Sequence, residues 1–195
     1  MPRFQPEHSR TAAIVGLIGL IAVRFAPELA VDIPNALLVV LSVLVAGSFA
    51  ALPVAFLDLE EGGRPLRVGS VVAAVSYPVY WAAGGIGAAI GSSVPLQVVA
   101  FVAAIAAGVG YAIVGWQLRP LDEVFGHKPR GFGFVYLFFG VVMVVGRITG
   151  PIFGAALLGI IFLSDYIVIW IVLIASIVLF KPKDPPGLTP MRPLQ

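Results

Sequence analysis

Apolar positions in this chain come in long runs, and polar positions gather in short intervals between them. Runs of spanning length predict helices at about 11–26, 35–57, 68–91, 96–118, 131–150 and 156–180. The intervals carry Gly, Pro, Asp, Glu and Arg, as in Asp58 to Arg67 and Arg119 to Arg130, and read as turns and loops. Between the third and fourth runs lie only Ser92, Ser93, Val94 and Pro95, which allow nothing longer than an antiparallel hairpin. The segment from Ile152 to Phe180 is long enough for one tilted helix or two short ones.

The first run follows Arg3 and Arg10 and has the look of a secretory signal. Its candidate cleavage residues Ala26 and Ala30 have Arg24 and Glu28 where a small neutral residue is needed. An uncleaved first helix is therefore expected.

Composition sharpens the class. The 195 residues are 59% hydrophobic and 11% charged, with a mean hydropathy of +1.03, against about 25% charge in soluble domains. The expected fold is an all-α integral membrane protein, a six-transmembrane-helix bundle in the cytoplasmic membrane with the lipid bilayer as its main partner. With both termini inside, all of the 12 basic residues except Arg24 and Arg147 are cytoplasmic. A seventh span would move Lys181, Lys183 and Arg192 outside and weaken that bias, so six spans and a Pro-rich cytoplasmic tail over 181–195 are preferred. The tripeptide Arg-Pro-Leu at Arg64, Arg119 and Arg192 supports three helical hairpins, although helix ends gather Arg and Pro in any case. A net charge of +2, dispersed between apolar runs, gives no nucleic-acid surface.

Small residues suggest how the helices pack. Ser70, Ala74, Tyr77, Trp81, Gly84, Ala88 and Gly91 share one face of the third helix, and Gln97, Phe101, Ala104, Gly108, Tyr111 and Gly115 one face of the fourth. Tyr77 and Tyr111 come to similar depth and are expected to meet across the hairpin, as packing or as part of a substrate path. Gly-rich faces, including Gly146, Gly150 and Gly154, also offer surfaces for partner subunits or a homo-oligomer.

Two charges lie inside the last apolar stretch: Arg147, about 5 Å below the outer boundary, and Asp165, about 10 Å below it. With Arg24 and Gln97 they form a polar layer holding both signs of charge. An ionisable residue within a span marks a substrate or ion pathway by default, and a paired one also fixes helix register.

Catalytic motifs are missing: no His-Glu-x-x-His, no Gly-x-Ser-x-Gly, no phosphate-binding loop, and no Cys to serve as nucleophile or ligand. No cofactor is expected. A weak alternative is a cytoplasmic metal site drawn from Asp58, Glu60, Glu61, Asp122, Glu123 and His127, which would make the chain a lipid-processing enzyme. The preferred function is a small-solute transporter or membrane-embedded transport component, ahead of a non-catalytic structural or assembly subunit of a larger membrane complex.

Overall fold

The structure is a computed structural model and describes residues 5–25, 35–91 and 93–181, with side chains left aside at 24, 25, 35, 36, 38, 85, 88–90 and 151–166. The expected tail over 182–195 and the loop over 26–34 lie outside the described residues. The fold is all-α: α1 Pro6–Phe25, α2 Asn35–Val54, α3 Gly63–Ile90, α4 Val94–Leu118 and α5 Arg130–Leu179.

As a straight rod, α5 would be about 75 Å long. Instead the Tyr136 hydroxyl lies 2.6 Å from Ser176 Oγ, and His127 Nε2, just before α5, reaches the Lys181 carbonyl just after it at 3.1 Å. The two ends of α5 lie side by side, so its helical run folds back as two legs and the bundle has six. Among the described residues Val94–Leu118 and Arg130–Gly150 are long and apolar enough to cross a membrane, and Val39–Val54 and Ile167–Leu179 are shorter apolar stretches.

Packing follows chain order, α1 on α2, α2 on α3, α3 on α4 and α4 on α5, and α5 closes the ring onto α1. Missing side chains set the closeness of α4 to its neighbours. A Cβ on Gly110 would sit 2.6 Å from the Ala73 backbone nitrogen of α3, and one on Gly108 would sit 2.8 Å from the Gly140 carbonyl oxygen of α5. Such contacts let neighbouring helix backbones touch directly.

Two helices begin before their apolar runs. Pro6 opens α1 and Pro65 lies in the first turn of α3, where a helix has spare N–H groups and loses nothing to proline. Arg10, Arg64 and Arg67 are therefore helical rather than loop residues. On α3 the expected inward face holds at Ser70 and Tyr77 but not at Gly84, which is exposed, and on α4 it holds at Ala104, Gly108, Tyr111 and Gly115 but not at Gln97 or Phe101, both exposed. The core consists of apolar side chains, with Ser9, Ser48, Ser70 and Ser176 as the buried polar residues among those described. Three of these hydroxyls bond to backbone carbonyls: Ser9 to Ala51, Ser48 to Leu44 and Ser176 to Val172.

Candidate functional site

Pro53 shapes the middle of the molecule. It lies inside α2 and has no N–H to give to the carbonyl four residues earlier, that of Phe49. Tyr111 of α4 supplies the missing donor, its hydroxyl reaching the Phe49 oxygen at 2.6 Å in a fully buried setting. A proline in one helix and a phenol in another thus satisfy each other's needs, which is how a broken backbone bond is tolerated away from water.

Around that bond, aromatic rings fill the axis of the ring of helices. Phe49 stacks on Tyr77 with centroids 4.5 Å apart, Phe139 meets Tyr111 edge-on at 4.9 Å, and Tyr111 lies nearly parallel to Tyr136 at 6.1 Å. The column continues through Phe56 to Phe125 and Phe180 at one end and through Tyr77 to Tyr80 and Trp81 at the other. Tyr136 is tied by a relay: its hydroxyl donates to Ser176 Oγ, whose own proton goes to the Val172 carbonyl at 2.6 Å. The rings of Tyr77 and Tyr111 meet edge to face at 6.1 Å, while the Tyr111 hydroxyl goes to the Phe49 carbonyl.

Beyond Tyr77 the column ends in a cation. Arg147 donates from Nη2 to the Tyr80 hydroxyl, and its guanidinium carbon lies 4.7 Å from the centre of the Tyr80 ring. The encounter follows from geometry. Tyr80 is 17 residues beyond Gly63 and Arg147 is 17 beyond Arg130, so each stands about 26 Å along its helix, and α3 and the first leg of α5 run in the same direction. Cation–π attraction and a charge-assisted hydrogen bond then hold a guanidinium that would be costly alone among apolar side chains. Tyr80 is the residue that sequence reasoning missed. The signal was present, since Tyr80 is one turn from Tyr77 and shares its face.

Of the other expected polar residues, Gln97 is exposed in the first turn of α4, near that helix's start. Arg24 belongs to α1 and Asp165 to α5, but their side chains lie outside the described residues. The pairing of Arg147 with Asp165 therefore stays a proposal. Gly154 of the glycine ladder falls in the same undescribed set.

The structure does not gather the residues of the metal alternative into one group. Asp58, Glu60, Glu61, Asp122 and Glu123 are exposed, and among the described residues no group of three His, Asp or Glu side chains could hold a metal ion. His127 is engaged instead with the Lys181 carbonyl and, edge-on, with Phe132. The reason is turn chemistry. The loop between α2 and α3 ends in Gly62 and Gly63, with Gly63 at φ +60°, which brings Arg64 straight into α3 and leaves the acids at the solvent side of the turn. The described residues place a guanidinium and a phenol hydroxyl together at the edge of an aromatic wall. Compared with known protein families, curated proteins and solved structures, the chain matches none.

Proposed function

We propose that this chain is a six-span membrane protein with both termini in the cytoplasm, and that it serves as a membrane-embedded transport component binding a small solute at the outer end of its aromatic column. The outer surface supports the membrane placement. Val43, Val75, Ile18 and Phe138 are between 57% and 64% exposed on four different helices, a distribution that water penalises and lipid tails accept. The basic residues support the orientation, with Arg10, Arg64, Arg67, Arg119, Lys128 and Arg130 all toward one end.

One observation carries the functional reading: Arg147, half-buried within an apolar helix, rests on Tyr80 where the column of rings stops. A guanidinium at that depth, backed by Tyr77, Tyr80 and Trp81, suits a solute with an anionic group and a flat or apolar body. Asp165 and Arg24 complete the polar layer in this proposal. The solute would bind beside the column rather than pass along it, because rings occupy the axis.

That same filled axis favours a second reading, a subunit whose rigid core supports a larger assembly. One experiment separates the two. The protein is extracted in mild detergent, and the small molecules and proteins that accompany it are identified by mass spectrometry. A solute retained by the wild type and lost from Arg147→Gln/Asp165→Asn at equal yield supports transport. A constant set of partner proteins, with no small molecule that depends on Arg147, refutes it in favour of the subunit.

A further inference from the structure

A groove of about 840 Å³ runs along the outer face of α4, between α3 and the first leg of α5. It exists because α4 is drawn inward by the glycine contacts that hold it to α3 and α5, so that the flanking helices overhang it. Ala112 and Gly140 lie along it, with Val68 on one side and Val141 and Val144 on the other. One end is different in kind. There Arg64 and Trp116 line the groove, and Trp116 is shared with a second hollow of about 330 Å³ that contains Arg119, Arg130 and Phe134.

The three arginines come from the start of α3, the end of α4 and the start of α5, which the topology brings to one end of the bundle. Arg119 is preset. Its guanidinium carbon is 3.9 Å from the centre of the Trp116 ring and 5.2 Å from that of Phe134, and its Nε is buried without a hydrogen-bond partner. Arg64 and Arg130 are exposed. Two of these arginines, Arg64 and Arg119, head the Arg-Pro-Leu tripeptides.

We infer that this groove binds an anionic glycerophospholipid, its acyl chain along Val68, Ala112 and Val141 and its phosphate among Arg64, Arg119 and Arg130. An apolar groove with Arg64 and Trp116 at one end, beside a hollow that holds Arg119 and Arg130, has the polarity of such a lipid, whereas a water-soluble phosphate would leave its apolar length unfilled. Guanidinium groups match a phosphate through paired hydrogen bonds, and tryptophan sits at headgroup depth. A volume of 840 Å³ is in the range that encloses a sizeable ligand. The inference rests on the membrane placement proposed above and is independent of the solute site at Arg147.

The test is native mass spectrometry of the full chain in mild detergent, titrated with phosphatidylglycerol or with phosphatidylcholine of the same acyl chains. Phosphatidylglycerol should bind more tightly. Arg64→Gln and Arg130→Gln, both at exposed positions, should each weaken it by roughly fivefold while leaving phosphatidylcholine unchanged. Val141→Phe, which fills the groove from a side chain 44% exposed, should weaken both lipids without lowering yield. Equal affinity for the two lipids, or equal binding of glycerol 3-phosphate without acyl chains, overturns the inference. A dimer that excludes lipid and is broken by Val141→Phe also overturns it, because the groove would then hold a second copy. Recovery of the chain from the soluble fraction without detergent would instead refute the membrane placement itself.

Discussion

The bond between Tyr111 and the Phe49 carbonyl makes a quantitative claim about Pro53. In Tyr111→Phe the ring contacts survive, and what is lost is the donor to a carbonyl that Pro53 has already deprived of its helical partner. Both residues are 0% exposed, so water cannot substitute. Leaving a buried acceptor unmet costs about 1–3 kcal/mol, while single interhelical hydrogen bonds in membrane proteins average about 0.6 and reach about 1.7 kcal/mol. Pro53 removes this acceptor's usual helical partner, so on the membrane placement proposed above the upper part of that range applies, about 1–2 kcal/mol. The decisive variant is Pro53→Ala, which returns an N–H to the Phe49 carbonyl. In that background Tyr111→Phe should cost about 1 kcal/mol less than in the wild type. Unfolding of the purified protein in a titration from mild to denaturing detergent, run on all four members of the cycle, reads the coupling directly. If the two substitutions add to within about 0.3–0.5 kcal/mol, Pro53 and Tyr111 act independently and the reasoning fails.

Helix closeness predicts opposite signs for two glycines. Gly110→Val should destabilise by about 1–3 kcal/mol through overpacking against Ala73 and Gly69, whereas Gly47→Ala, with open space around it, should stabilise by about 0.5–1 kcal/mol; the same detergent titration checks both. Since the chain has no cysteine, single cysteines at Glu7 and His127 should resist an impermeant thiol reagent added to intact cells, and one at Ser93 should react; labelling at His127 from outside would invert the proposed orientation. Tyr80→Phe keeps the ring under Arg147 and removes only the hydroxyl, so it should weaken retention of a co-purified solute by less than Arg147→Gln does. Equal losses, measured as solute per protein by mass spectrometry, would assign recognition to the hydroxyl rather than the guanidinium.

The helices were legible in the sequence because spanning length and apolar content are local properties, and the inward faces at Tyr77 and Tyr111 because helical period is local too. Periodicity states which face turns inward but not how far neighbours extend along it, and so it misplaced Gly84, Gln97 and Phe101. Pairings across the bundle were not legible in that way: Pro53 announces an unmet carbonyl, but only packing shows that a phenol 62 residues from Phe49 meets it.

The partner of Arg147 was hidden by a boundary. A start near residue 68, where the apolar run begins, counts Tyr80 as 12 residues up the third helix and sets it well below Arg147. The helix in fact begins at Gly63, because Pro65 is harmless in a first turn and the long stems of Arg64 and Arg67 can carry their charges away from apolar surroundings. Tyr80 then stands level with Arg147, and a phenol that had seemed ordinary becomes the group that receives the cation of an apolar helix. An apolar run marks where hydrocarbon begins and a helix start marks where backbone hydrogen bonding begins. In this chain the five residues between the two decide which aromatic side chain the arginine finds.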